Sequence, residues 1–174
     1  MGDQIICYVA RAMTGRVKED VVSEAKKDKE FFEKAGFIVL CPVSEEGVEP
    51  TKQIIRSSKQ AMDKYWDRDK QMIRQSHVLF NMSPDQPSLG VIREHGYARY
   101  ALWKKVISIF PSGKLPQKAA VCHYEDDYVT DDILDAVGEV YRTHGTFWKR
   151  TKWRLKMLNR SLLKWCWYQV CEFK

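Results

Sequence analysis

Three stretches of the chain carry side chains that could do chemistry. The first, at the end of an apolar run, holds Tyr8, Arg11, Thr14, Gly15 and Arg16; the second holds Asp67 and Asp69; the third holds Ser88, Gly90 and Glu94. Carboxylates, hydroxyls and arginines are residue types able to act in acid–base, nucleophilic or anion-binding chemistry where a fold gathers them. A serine hydroxyl, the backbone N–H groups of a helix start near Gly90 to Ile92 and an arginine, Arg11 or Arg16, together make a site for an anion. Each residue also has a plain structural reading. Glu94 suits a helix start favoured by the dipole, Asp67 and Asp69 suit a solvated helix face, Ser88 suits a cap or turn, and Tyr8 suits the core. No cluster of His, Cys and Asp has metal-ligand spacing, so neither a metal nor a cofactor is expected.

The elements that must position these residues alternate between buried strands and amphipathic helices. Ile5 to Ala10 (IICYVA) reads as a first strand, and residues 20–35 as a helix stopped by Gly36. Phe37 to Cys41 (FIVLC) is a second strand closed by Pro42, and residues 44–52 form a polar loop of the kind that covers a site. Residues 53–76 read as helix, His77 to Met82 as a third strand, and Ser83 to Gly90 as a loop. A further helix is expected from near Val91 through Trp103, a fourth strand over Lys105 to Phe110, and a last amphipathic helix over Asp131 to Tyr141. Such a pattern predicts an α/β fold, a Rossmann-like (flavodoxin-like) parallel sheet with helices on both faces and ligands at the carboxyl ends of its strands.

Composition narrows the class. The chain has 174 residues, 44% of them hydrophobic and 30% charged, which fits one folded α/β domain over residues 1–146 with an extension over 147–174. Its five cysteines are dispersed and never form a C-x-x-C pair, so a reducing, cytoplasmic compartment is expected rather than a disulfide framework. No apolar run reaches the length of a membrane span. The net charge of +6 would raise nucleic acid as a partner, but seven Lys or Arg and no acid fall within residues 149–164, so the rest of the chain is close to neutral.

One stretch goes further. The string DRDKQMIRQSHVLFNMSPDQPSLGVIREHGYARYALWKKVISIF, with Asp69 ahead of a strand and PSLGVIREHGYA after it, resembles the active-site core of the nucleoside 2-deoxyribosyltransferase superfamily. It is closest there to the 2'-deoxynucleoside 5'-monophosphate N-glycosidase branch, whose members read like P-S-L-G-V-x-x-E-L-G-x-A. The opening YVARAMTGR resembles the first-strand motif Y-(L/I/V)-A-x-x-M-T-G of related proteins. The likeness spans about residues 5–112 and not the tail.

The resemblance implies roles. Glu94 would be the catalytic glutamate, Asp69 the aspartate that assists at base and sugar, and Tyr8 the tyrosine that orients the nucleophile. Ser88, with the backbone of Gly90 and the Thr14, Gly15, Arg16 loop, would hold a 5'-phosphate; Arg11 and Asp67 complete the candidates. Transferases acting on unphosphorylated nucleosides usually carry an Asp where Ser88 stands, and a phosphate there would be repelled. The implied reaction is hydrolysis of the N-glycosidic bond of a (deoxy)nucleoside 5'-monophosphate to free base and sugar 5-phosphate by a homodimer. The rivals are base exchange by a deoxyribosyltransferase and a non-catalytic nucleotide-binding module of the same fold. The chain departs from the pattern in four ways: the loop from Asn81 to Pro87 is one residue longer, His77 stands for the usual Asp, His95 stands for the usual Leu, and no serine stands among residues 115–118 where a partner-subunit serine is expected, Gln117 being nearest.

The tail has Leu155, Leu158, Leu162 and Trp165 at helical spacing among basic residues. This basic, Trp-rich segment reads as a helix that packs on the domain or a dimer partner, lies on an anionic membrane surface, or binds single-stranded nucleic acid.

Overall fold

A computed structural model describes residues 4–13, 15–44, 59–85, 88–110 and 126–144. The loop expected over 44–52 beyond Ser44, the first residues of the helix expected from 53, Thr14, Gln117 and the segment 147–174 lie outside the described residues.

The chain runs β1 (Ile6–Ala10), α1 (Lys18–Lys34), β2 (Ile38–Leu40), α2 (Lys59–Gln75), β3 (Val78–Asn81), α3 (Leu89–Gly96), a π-helical turn (Tyr97–Ala101), β4 (Lys105–Ile109), β5 (Tyr128–Thr130) and α4 (Ile133–His144). All strand pairs are parallel and the sheet order is β2-β1-β3-β4-β5. This is the flavodoxin-like order, with the reversal of direction beside β1. Register places Tyr8 opposite Leu40 on one side and Leu79 on the other.

Strand alternation divides the core in two. Cys7, Val9, Val78, Phe80, Ile107 and Ile109 face α1 and α4, which bury Val21, Ala25, Phe32, Val137 and Val140 against them. Tyr8, Ala10, Leu79 and Val106 face the other way, onto Ile73 of α2, Val91 of α3 and Ala98 of the π-turn. The expected helices on both faces are therefore present. On the first face Phe32 stacks on Phe80 with ring centroids 4.4 Å apart, and Phe37 closes edge-on against both.

Helix ends follow local chemistry. Glu19 and Asp20 occupy the first turn of α1, where the dipole favours acids. At its far end Gly36 has φ +95°, donates to the Glu33 carbonyl, and lets Phe37 donate to the Phe32 carbonyl, a left-handed cap that an L side chain would strain. α3 starts at Leu89, earlier than its apolar periodicity suggests, because Ser88 caps it. The helix expected to continue to Trp103 instead widens into the π-turn and stops, with Trp103 itself at φ 54°. β5 has no counterpart in the sequence reading: its three residues are too few to show alternation. Among the described residues no helix is long and apolar enough to cross a membrane.

Candidate active site

Tyr8 lies in the middle of β1 with no exposed surface, its side chain on the α2–α3 side of the sheet. Asp69 reaches the same side because it sits one turn before the fully buried Ile73 on α2. Glu94 lies in the second turn of α3, between Val91 and His95, which are both buried. Three distant stretches of sequence thus act on one another on one side of the sheet, with Tyr8 level with Leu40 at the end of β2.

The phenol hydroxyl of Tyr8 is buried and closes on the Glu94 carboxyl without reaching full hydrogen-bond geometry with any described group. Burial, then the charges of Glu94 and Asp69, push the Tyr8 phenol well above its ordinary range, so it is a permanent donor. Burial also pushes Glu94 up to about 8; Asp69 adds to this by repulsion, while Tyr8 and Arg68 pull the other way. Asp69 is gripped by Arg68, whose Nε and Nη2 donate to Oδ1 at 3.1 and 2.9 Å. Arg68 is a site residue that sequence reasoning missed, because neighbouring helix positions do not ordinarily face each other.

Ser88 is the N-cap of α3, in extended conformation, and its Oγ accepts from the Val91 N–H at 3.3 Å. Gly90 is exposed in the first turn, and a Cβ there would meet only Ser88 Oγ at an ordinary 3.7 Å. Its value is an uncovered backbone, not a special conformation. Gly15, by contrast, has φ +78°, which its turn requires.

The two arginines expected near an anion are engaged elsewhere. Arg11 Nε donates to Asp28 Oδ2 at 2.9 Å, its Nη1 pairs with Glu24, and its side chain is only 9% exposed. Arg16 Nη2 donates to Glu24 Oε1 at 2.7 Å, and Asp85, from the loop after β3, adds to the negative field around it. Arg11 therefore locks the loop after β1 onto α1. Asp67 is exposed and paired with Lys70 at 2.5 Å, as a solvated helix charge would be.

Both histidine departures have structural work. His77 Nδ1 accepts from the Ile6 N–H at 2.9 Å, at the opening of β1. His95 Nε2 meets Asp126 Oδ1, while Arg99, one turn on, pairs with Asp127, whose Oδ2 accepts from the Val106 N–H at 2.8 Å. α3 and its π-turn are thereby tied to the start of β5. Among the described residues no group of three or more His, Cys, Asp or Glu is placed to share a metal ion.

No family model and no curated protein matches the sequence. Solved structures do. A 2-deoxyribosyltransferase from the psychrotolerant bacterium Bacillus psychrosaccharolyticus is similar at a TM-score of 0.57 and 17% identity, over 76% of this chain and 90% of that one. A conserved protein from Enterococcus faecalis V583 is similar at a TM-score of 0.58 and 12% identity, over 80% of this chain and 99% of that one. A CMP N-glycosidase from Clostridium botulinum matches at a TM-score of 0.48 and 13% identity, over 78% of this chain and 97% of that one. The chain has the nucleoside deoxyribosyltransferase-like fold. At these identities the likeness is one of fold.

Proposed function

We propose that the protein hydrolyses the N-glycosidic bond of a (deoxy)nucleoside 5'-monophosphate, with Glu94 as nucleophile and Asp69 as the acid that assists the departing base. The observation that carries this reading is the convergence of Glu94 and Asp69, from separate helices, on the buried hydroxyl of Tyr8. Burial and then repulsion by Asp69 push Glu94 up to about 8, so Glu94 keeps its proton near neutral pH. That proton suits the chemistry. As the C1'–N bond breaks, the base takes the proton by way of Asp69, and the Glu94 carboxylate bonds to C1'. Water then attacks C1', the ester bond breaks, and the pair regains a proton as the sugar gains a hydroxyl. Tyr8 donates toward Glu94 and fixes which oxygen attacks.

Ser88 supports a phosphate at the 5' end. Its Oγ already accepts from Val91, so its own proton can go to a phosphate oxygen beside the open first turn of α3. A carboxylate there would repel the dianion.

The test is chromatographic: free base released from ribo- and deoxynucleosides and their 5'-monophosphates, by the parent and by Glu94→Ala. Release from monophosphates alone, lost in the variant, is expected. No release from any compound overturns the reading in favour of a binding module, and release only with a second base present makes the protein a transferase.

A further inference from the structure

Side chains at neighbouring helix positions point about 100° apart and do not ordinarily face each other. Arg68 and Asp69 do. The Arg68 guanidinium folds back to set both Nε and Nη2 on one oxygen of Asp69, and it lies over the Tyr65 ring, one turn earlier on α2, at 5.5 Å from its centre. Tyr65 is the seat that turns the fork toward its neighbour. The arrangement is partly shielded, with the Arg68 side chain 32% exposed and Asp69 15%.

Among the described residues, the groups that act on Glu94 from packed elements are Tyr8 of β1 and Asp69 and Arg68 of α2. On its own helix, Arg93 lies over the Trp66 ring at 4.5 Å and His95 is bound to Asp126. Among the described residues, Arg68 is a cation that both holds Asp69 and acts on Glu94. A guanidinium stays charged at any working pH, and when two carboxyls share one proton, the cation nearer to one decides which keeps its charge.

We propose that Arg68 is a positioning residue of the carboxyl pair: seated on Tyr65 and fixed to Oδ1 of Asp69, it keeps Asp69 the ionised member and leaves the shared proton on Glu94. The proposal rests on the reading of Asp69 and Glu94 as the reacting pair. It gives the nucleophile a mask. Glu94 is a neutral acid in the resting site and becomes a carboxylate only when a leaving base draws the proton through Asp69. Removing the guanidinium raises the pH at which each proton of the pair is lost.

Carboxyl carbon-13 NMR on the full chain tests this without a substrate, the Glu94 signal being assigned by its loss in Glu94→Gln. In Arg68→Met the Glu94 titration should move upward by about half a pH unit or more, and in Arg68→Lys, which keeps the charge, it should stay near the parent's. Tyr65→Leu removes the seat alone and should give a smaller move in the same direction, which keeps the test open if Arg68→Met fails to fold. In base release, Arg68→Met should lower kcat by roughly ten- to a hundredfold with KM little changed, both limbs of the pH profile moving up. An unchanged Glu94 titration in folded Arg68→Met and Tyr65→Leu overturns the proposal whatever the activity. Absence of base release by the parent overturns the functional reading instead, and the titration still decides Arg68.

Discussion

The hydroxyl of Tyr8 is buried against the carboxyl of Glu94, with no described group in full hydrogen-bond geometry to it. A buried hydroxyl left in that state costs stability, so Tyr8→Phe should leave unfolding stability within about 1 kcal/mol of the parent or raise it. Base release should fall about tenfold or more, because the nucleophile loses its orienting donor. Thermal unfolding and kcat together check this. A large loss of stability would show that the hydroxyl is structurally bonded.

Glu94 makes stability fall as pH rises. With its pKa at about 8 in the folded chain and near its ordinary value when unfolded, both states hold the proton in acid and the residue costs nothing. Between roughly pH 4.5 and 8 the unfolded chain gives up that proton while the folded chain keeps it, so stability is lost across that window and is flat beyond it. Glu94→Gln should match the parent near pH 4.5 and exceed it above pH 8, by a few kcal/mol at most, since each pH unit of separation is worth about 1.4 kcal/mol. Denaturant melts of both proteins over that range measure the difference.

Ser88 separates capping from substrate choice. Ser88→Ala should cost about 1 kcal/mol through the lost cap of α3, whereas Ser88→Asp caps equally well and should hold stability. In Ser88→Asp the KM for a monophosphate should rise about tenfold or more through repulsion, with no such penalty on the unphosphorylated nucleoside. Equal effects on both substrates would remove the phosphate from this position.

Arg11 should prove a fold residue. Burial pushes the Asp28 carboxyl up, against the pull of Arg11, so Arg11→Met strands a buried acid and should cost about 3 kcal/mol. The loss should deepen as pH rises and Asp28 is forced to ionise, while KM for the nucleotide stays close to the parent's. Melting temperature against pH and saturation kinetics read the two effects separately.

The fold was legible where runs were long. IICYVA, HVLFNM and KVISIF announce β1, β3 and β4 through apolar, β-branched residues, and Gly36 marks the end of α1 because it alone supplies the left-handed cap. YVT announces nothing, since β5 takes its place from pairing with β4 and not from local preference. Tyr8, Asp69 and Glu94 stood out only through the family resemblance, since each alone suits a structural role, and Asp67, which the structure shows exposed and paired with Lys70, stood beside Asp69 as an equal candidate. Arg11 looked like an anion ligand because the sequence shows a loop arginine but not its partner. The signal was there in Glu24 and Asp28, four apart on one face of α1. Arg68 was hidden because its hold on Asp69 depends on Tyr65 turning it aside, which no local spacing encodes.

The strand order carries a timetable. β1 is hydrogen-bonded to β2, made soon after it, and also to β3, which ends at Asn81. On a ribosome the first strand therefore waits, half its edge open, until β3 has been synthesised, and parallel pairing across such a separation forms slowly. Tyr8 shares that delay. Its ring has no sheet neighbour on the β3 side until Leu79 arrives and no Glu94 carboxyl beside it until α3 docks, so the reacting centre is completed only late in assembly.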